Sequence, residues 1–249
     1  MDFVKMEGLG NDFVVLAGSI EPTSDEVASW CDRRRGIGAD GVLVVTPGDE
    51  SSVRMAYWNA DGSAAEMCGN GLRCVARYAV DRGLVAGNLF TVITPAGGRR
   101  VEVGQSTVRA EIGPVEPRGD AVEIAGYVLA RVSVGNPHAV AFVSDCYAVP
   151  VEAAGPVVAG DLSFPERTNV EFATVIAKDR IALRVWERGV GETMACGTGA
   201  VAAVVEAHRT GRTGPSVTVL LPGGELSVEL DDSTAWIDGP ATTVFSGVL

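Results

Sequence analysis

The sequence predicts an α+β protein of two pseudo-symmetric halves, each with a mixed, mostly antiparallel β-sheet or barrel wrapped around a central helix. Three observations favour this fold class. Strand-like runs outnumber helical patterns by about two to one. The 31 glycines and 12 prolines among 249 residues stand singly, as turns between short elements. Two glycine-containing motifs recur half a chain apart.

The predicted strands are runs of β-branched and apolar residues bounded by turn residues. They cover residues 13–16, 42–45, 53–57, 89–93, 132–134, 139–143, 170–175, 181–185 and 217–221. The segment LLPGGELSV, which overlaps the end of the last run, predicts a hairpin. Residues 235–237 and 243–245 predict two final strands.

Capping residues and apolar periodicity predict four helices. They are residues 25–34, the segment from Leu72 to Val80, residues 151–158 and residues 198–207. Ser24 is the candidate N-cap of the first, while Gly83 and Gly211 follow the second and fourth as stops. The fourth is apolar on nearly every face, so we expect it to be buried within the fold.

An internal repeat relates the two halves. The segment GNDFVV from Gly10 is echoed by GNPHAV from Gly135, and CGNG from Cys68 is echoed by CGTG from Cys196. The offsets, 125 residues (135 − 10) and 128 residues (196 − 68), nearly agree. We therefore expect residues 1–113 with 240–249 to form one half, which carries Cys68. Residues 114–239 form the other, which carries Cys196, with the active site in the cleft between them.

Charge and composition exclude several classes of function. The net charge of −12 disfavours nucleic-acid and anionic-membrane partners. The first residues are acidic where a signal peptide is basic, and no apolar run is as long as a membrane helix, so a cytoplasmic protein is expected. Five cysteines are an odd set that does not suggest a disulfide framework. Any special thiol is expected to be reactive.

Each repeated cysteine stands directly before the first turn of a predicted helix and is followed by Gly-x-Gly. Unpaired N–H groups and the helix dipole at that point favour a thiolate, so a lowered thiol pKa is expected at Cys68 and Cys196. The same N–H groups can hold a carboxylate.

Two opposed thiols suit one chemistry in particular. Inverting a carbon that bears a hydrogen needs a base on one face and an acid on the other, and two cysteines can exchange these roles. The opposed helix starts would stabilise the charge that develops on a substrate carboxylate.

Five segments, in their order, resemble the signature segments of the diaminopimelate epimerase family. They are MEGLGNDFVV, NADGSAAEMCGNGLRC, VGNPHAV, PERTNVEF and ERGVGETMACGTGA, and LPGGEL fits the family's later hairpin. The resemblance covers nearly the whole chain. It implies interconversion of LL- and meso-diaminopimelate in lysine and peptidoglycan precursor biosynthesis, without metal or pyridoxal phosphate, by an enzyme that is commonly a homodimer.

The resemblance also implies roles for individual residues. Cys68 and Cys196 would be the catalytic base and acid, with His138 and Glu187 tuning the thiols. The substrate-binding residues would be Gly69, Asn70, Gly197 and Thr198 at the reacting carboxylate, Asn11 and Glu187 around the reacting amine, and Asn59, Asn136, Asn169 and Arg188 at the remote end. An arginine fork and side-chain amides suit a second zwitterion there.

Two features depart from the family. Many members carry glutamine where this chain has Gly41, so one contact near the substrate amine is expected to be missing. The chain is also somewhat shorter than typical members.

Simpler interpretations accompany these assignments. Cys31, Cys74 and Cys146 lack a motif and are expected to be buried hydrophobes. The four asparagines assigned to binding are common turn residues, and Glu187 with Arg188 is typical of a surface pair. The absence of any Cys-x-x-Cys pair and the presence of only two histidines disfavour zinc.

Three rival functions remain open. They are a related racemase or epimerase acting on a different amino acid, a related isomerase without thiol acid/base chemistry, and a non-catalytic thiol-redox or binding homologue.

Overall fold

The structure, a computed structural model, describes residues 1–65, 67–231 and 234–249. The chain divides into two compact units, Met1–Glu111 with Asp238–Leu249, and Ile112–Ile237. The limits predicted from the internal repeat lie two residues from these. Among the described residues, no helix is both long enough and apolar enough to span a membrane.

The first unit alternates strands with two helices. Its elements are β1 (Asp2–Gly8), β2 (Asn11–Ala17), α1 (Ser24–Cys31), β3 (Gly41–Pro47), β4 (Ser52–Asn59), β5 (Ala64–Ala65), α2 (Gly69–Asp81), β6 (Leu89–Thr94), β7 (Gly97–Val103), β8 (Thr107–Gly113) and β19 (Thr242–Val248). Strands β2 and β3 pair in parallel, as do β4 and β6. Their neighbours β1, β5, β7 and β19 pair antiparallel. Parallel neighbours need a crossover, and α1 and α2 lie in these two crossovers.

The second unit repeats this order. Its elements are β9 (Glu116–Pro117), β10 (Val122–Ile124), β11 (Tyr127–Ser133), β12 (Pro137–Phe142), a 3-10 turn (Cys146–Ala148), α3 (Val151–Ala159), β13 (Asn169–Ala177), β14 (Arg180–Glu187), β15 (Gly191–Thr193), α4 (Gly197–Arg209), β16 (Ser216–Leu221), β17 (Gly224–Leu230) and the first half of β18 (Ala235–Pro240), whose last three residues belong to the first unit. Strands β12 and β13 pair in parallel around α3, and β14 and β16 around α4. The predicted fold class of two pseudo-symmetric halves is confirmed.

Helices α2 and α4 are the central helices of their units. In the first unit, α2 packs against β1, β2, β3, β4, β6 and β7, and in the second α4 packs against β11, β12, β13, β14 and β17. Most side chains of both helices are buried, including those of their first turns. Gly83 and Gly211 follow the two C-termini with φ of 63° and 70°, as the predicted stops require.

The prediction for α1 is wrong at both ends. Thr23, not Ser24, is the N-cap, because its hydroxyl accepts the N–H of Glu26 while the Glu26 carboxylate accepts the N–H of Thr23. The helix ends at Cys31 rather than residue 34. The carboxylate of Asp32 accepts the backbone N–H groups of Arg34 and Arg35, which draws the chain out of the helix before the predicted end.

Several strands escaped the sequence analysis, among them β1, β7, β8 and most of β11. In β7 and β8, buried apolar residues alternate with partly or fully exposed polar ones, as in a sheet with one wet face. Only every second residue of these strands is apolar, so they contain no continuous apolar run.

Candidate active site

Cys68 is the N-cap of α2. Its backbone is extended, with φ −141° and ψ 120°, and its sulfur accepts the N–H of Gly71 at 3.4 Å. The thiol thus takes the place that a serine or aspartate oxygen usually occupies at a helix start. The side chain is half-buried, which leaves part of it accessible.

Two of the predicted binding residues, Asn11 and Asn70, lie beside this sulfur. The Cys68 thiol donates to Asn11 Oδ1 at 3.7 Å, and Asn70 Nδ2 donates to the same oxygen at 3.2 Å. Gly69 and Asn70 form the first turn of α2 behind the thiol. The structure therefore brings four of the predicted residues together in the first unit.

Asn59 has a different local setting. It ends β4, and its side chain donates to Ser63 Oγ at 3.0 Å while its backbone N–H donates to the carbonyl of the same serine at 2.9 Å. The asparagine thus closes the turn that follows β4, which is the simpler interpretation of its type.

Gly41 stands opposite Asn59 in the ladder of β3 and β4. A Cβ atom at position 41 would lie 2.4 Å from the Trp58 carbonyl oxygen and 2.6 Å from the Tyr57 ring. The close approach of the backbone explains why this chain carries glycine here, and a glutamine would require β4 to shift.

Cys196 repeats the capping of Cys68 in the second unit. Its sulfur accepts the N–H of Gly199 at 3.4 Å and lies 3.5 Å from the hydroxyl of Thr198. Gly197 and Thr198 open the first turn of α4. Unlike Cys68, Cys196 is buried.

The expected lowering of the thiol pKa is wrong for Cys196. Burial, followed by the negative charges of Glu187 and Glu171, raises the pKa of this thiol well above its usual range. The hydrogen bonds from the Thr198 side chain and the Gly199 backbone act in the opposite direction and are outweighed. The helix start alone therefore does not make this thiol acidic.

Glu171 is the residue of this region that the sequence analysis missed. It lies in β13 with no exposed side-chain surface, and its Oε1 is 2.7 Å from His138 Nδ1. A Cβ atom at position 199 would lie 2.8 Å from Glu171 Oε1 and 3.3 Å from the Cys196 sulfur. The carboxylate thus packs against the first turn of α4. The available signal was a charged residue within an otherwise uncharged segment, TNVEFATV.

The other predicted residues of the second unit form linked contacts. His138 Nε2 lies 2.9 Å from Asn136 Oδ1. Asn169, opposite His138 in the β12–β13 ladder, accepts the backbone N–H of Arg188 at 2.8 Å.

Glu187 and Arg188 follow one another at the end of β14 but have separate contacts. Glu187 accepts the hydroxyl of Thr193 at 2.6 Å. The exposed Arg188 side chain donates to the Glu166 carbonyl at 2.8 Å. Its guanidinium has further donors for a ligand.

The remaining cysteines have the environments of core residues. Cys31, Cys74 and Cys146 are buried, and burial raises the pKa of Cys31 to about 11 and also raises the pKa values of the other two. Within the described parts of the chain, no three histidine, cysteine, aspartate or glutamate side chains are grouped so as to hold a metal ion.

Comparison with known proteins gives consistent matches. The family model described as diaminopimelate epimerase matches residues 3–117 and 130–244. The chain is 43% identical to the diaminopimelate epimerase of Pelotomaculum thermopropionicum, over 99% of this chain and 98% of that protein. It is also 43% identical to that of Moorella thermoacetica, with the same coverage.

Solved structures share the fold at lower identity. A hydroxyproline epimerase from Agrobacterium vitis superposes with a TM-score of 0.80 at 15% identity, covering 99% of this chain and 91% of that one. A phenazine biosynthesis protein of the PhzF family from Bacillus anthracis gives a TM-score of 0.76 at 15% identity, covering 100% and 99%.

Proposed function

Because the chain belongs to the diaminopimelate epimerase family, we propose that it interconverts LL- and meso-diaminopimelate by two-base proton transfer at the α-carbon, in lysine and peptidoglycan precursor biosynthesis. One observation carries the mechanism: each unit has a thiol that caps a buried central helix, at 3.4 Å from an N–H three residues on. Packing alone would not explain a cysteine N-cap at the central helix of both units.

The two sulfurs divide the proton transfer between them. The thiolate of one cysteine removes the α-proton, and the thiol of the other delivers a proton to the opposite face of the carbon. One proton leaves and one arrives, so the product is the epimer and the two sulfurs have exchanged protonation states. The reverse reaction then starts from the state in which the forward reaction ended.

The helix starts stabilise the intermediate. As the proton leaves, negative charge moves onto the substrate carboxylate, and fixed N–H dipoles stabilise such charge without reorganisation. The backbone groups of Gly69 and Asn70 in α2, and of Gly197 and Thr198 in α4, belong to first turns whose N–H groups are not used within the helix.

Side chains distinguish the two ends of the substrate. Asn11 and Glu187 offer oxygens to the reacting ammonium. Arg188 holds the remote carboxylate, while Asn59, Asn136 and Asn169 complete the remote contacts. Support for this division comes from chemistry, because an ammonium donates only and a carboxylate accepts only. His138 acts on the thiols from nearby.

An exchange assay in deuterated water tests the proposal. The protein is dialysed against a chelator and incubated with LL-diaminopimelate without additions. We expect meso-diaminopimelate to form and solvent deuterium to enter the α position. A lack of interconversion, or activity only after addition of metal or pyridoxal phosphate, would contradict the mechanism. Proline, hydroxyproline and lysine, tested in parallel, reveal a different amino-acid substrate.

Two further proposals concern assembly and location. The exposed apolar side chains of Val244, Phe245 and Val248 on β19 support a homodimer. Light scattering should give twice the chain mass of 25.8 kDa, and Phe245→Asp should give the mass of one chain. A mechanism that needs two reduced thiols supports action in the reducing cytoplasm.

A further inference from the structure

A chain of hydrogen bonds leads away from Cys68 in two directions. On one side, Asn70 Nδ2 donates to Asn11 Oδ1, and Arg73 Nη2 donates to Asn70 Oδ1 at 3.0 Å. On the other side, Asn11 Nδ2 donates to Asp40 Oδ2 at 2.7 Å. Two amides therefore lie between a guanidinium and a carboxylate.

The two ends determine which way both amides face. A guanidinium can only donate, so the Asn70 oxygen faces Arg73 and its nitrogen faces Asn11. A carboxylate can only accept, so the Asn11 nitrogen faces Asp40. The Asn11 oxygen is left facing the Cys68 sulfur.

Both ends of this chain are held in place. Arg73 is fully buried and also donates to the carbonyls of Gly69 and Pro240. Asp40 Oδ1 accepts from Arg33 at 2.7 Å, and its Oδ2 accepts the backbone N–H of Asp12 at 3.1 Å.

We propose that Asp40 is a positioning residue of the reaction, which turns the Asn11 amide so that its oxygen faces Cys68 and the substrate ammonium. The proposal rests on the proposed function, because only an amino-acid substrate brings an ammonium to this oxygen. With the amide reversed, an NH₂ group would face the ammonium and repel it.

Replacing Asp40 by asparagine reverses the Asn11 amide. The introduced side chain has a single oxygen, and the charged Arg33 guanidinium competes for it more strongly than a neutral amide does. The nitrogen of the introduced amide then faces Asn11 and also the backbone N–H of Asp12, which loses its acceptor. Asn11 presents its oxygen to position 40 and its nitrogen to Cys68, and so gives up the hydrogen bond from Asn70. In the double variant Asn11→Asp with Asp40→Asn, the introduced amide nitrogen donates to a carboxylate whose other oxygen faces Cys68 and the ammonium.

The experiment compares D40N, N11D and the double variant N11D/D40N with a control, Asp32→Asn. Asp32 lies in the same connection between α1 and β3, and its carboxylate accepts the backbone N–H groups of Arg34 and Arg35. We expect KM for diaminopimelate to rise about 10-fold in D40N, the usual size of one lost hydrogen bond to a charged group. N11D should raise KM further, because it places two carboxylates against each other. The KM of the double variant should return much of the way to the wild-type value.

A merely structural role for Asp40 predicts a different pattern. It would lower the melting temperature and the apparent kcat and leave KM unchanged, and the double variant would be no better than D40N. That pattern, or a KM in D40N equal to that of D32N, would overturn the proposal.

Iodoacetamide labelling of Cys68 across pH provides a readout without substrate. An amide nitrogen facing the sulfur favours the thiolate, so D40N should move the labelling midpoint of Cys68 to lower pH while D32N leaves it unchanged. A midpoint that does not move in D40N would overturn the proposal. If the wild-type enzyme interconverts no isomers, the proposed function fails, and the labelling result still decides how the Asn11 amide faces.

Discussion

The N-termini of α2 and α4 have the same cysteine N-cap but differ in the side chains around it. Cys68 and Cys196 both cap their helices by accepting an N–H at 3.4 Å. Cys68 is half-buried among amides, whereas Cys196 is buried near two carboxylates. The capping geometry is thus the same in both units, while the side chains packed behind each sulfur differ. The two-base reaction that we propose would therefore use two unequal thiols.

One pair of equivalent positions contributes to the difference. The fourth residue of the cysteine motif is Gly71 in one unit and Gly199 in the other. A Cβ atom at Gly71 would meet a methyl group of Leu43 at 3.0 Å, and one at Gly199 would meet the Glu171 carboxylate at 2.8 Å. Leu43 in β3 and Glu171 in β13 are related by the same 128-residue offset (171 − 43) as the cysteines.

A second pair acts in the same direction. Arg73 in α2 corresponds to Val201 in α4 (201 − 73 is again 128), so a buried positive charge near Cys68 has an apolar counterpart near Cys196. Positive charge favours a thiolate and negative charge disfavours it. We therefore expect Cys68 to ionise more readily than Cys196.

The largest effect on activity is expected when either thiol is removed. Cys68→Ala and Cys196→Ala should each lower net epimerisation by about 10² to 10⁴-fold, because each removes a general acid or base. The measurement is conversion of LL- to meso-diaminopimelate by chiral chromatography. Alanine at Cys31 or Cys146, which are buried away from any motif, should leave turnover within a few-fold. If the protein kept its activity without Cys68 or without Cys196, the two-base mechanism would be wrong.

Arg188→Lys tests whether the Cys196 unit also selects the substrate. Lysine keeps the charge but loses the guanidinium fork, which should lower kcat/KM for diaminopimelate by about 10- to 150-fold. An amino acid without the remote carboxylate should be a poor substrate and should be affected much less. Arg180→Lys, at the other end of β14 in a surface pair with Glu225, serves as the control. If kcat/KM fell equally for both substrates, Arg188 would act at the reacting end of the substrate or in maintaining the structure.

Glu171→Gln sharpens the electrostatic difference. The pKa of Cys196 is raised by burial and by nearby carboxylates, so this thiol stays protonated at neutral pH and reacts with iodoacetamide only as pH rises. Removing one negative charge should move the Cys196 labelling curve to lower pH and leave that of Cys68 unchanged. Glu206→Gln is the matched control, since Glu206 lies in the last turns of α4 and binds Arg209. An unchanged Cys196 curve would show that burial alone protonates this thiol.

The smallest expected effect is on stability, at the ion pairs that adjoin Asp40. Burial alone would raise the pKa of Asp12, but hydrogen bonds from Arg33 and Lys5 outweigh it and lower the value to about 2. A lowered folded-state pKa stabilises the protein above the unfolded-state value of 3.8, and this contribution is lost as pH falls through 3.8 towards 2.

Denaturant unfolding of Asp12→Asn at several pH values measures this contribution. The variant should lose about 2 kcal/mol of unfolding free energy at pH 7, and the difference from wild type should shrink as pH falls below 4. Asp179→Asn, on the exposed turn between β13 and β14, is the control for the loss of a surface carboxylate. A difference that stays constant down to pH 2 would contradict the assignment to ion pairs.

Local signals were sufficient for the architecture. The two cysteine motifs and the two GN motifs predicted the repeat, because short motifs at matching offsets need no tertiary information. The prediction of α2 rested on an apolar stripe and on Gly83, because helical periodicity appears in residues that are close together in the sequence. The cap of α1 was misassigned by one residue because Thr23 and Ser24 are both good N-caps, and only the reciprocal bond with Glu26 distinguishes them.

The family, the repeated fold and the two thiols with their helix starts followed from the sequence alone, because each was inferred from short motifs whose own residues lie within a few positions of one another. Only the tertiary structure showed the unequal settings of the thiols. Glu171 is 25 residues from Cys196 (196 − 171), and Asp40 is 28 residues from Cys68 (68 − 40). Charge and burial act through space, so the pairing of strands decides which carboxylate lies near which sulfur, and a motif cannot report it.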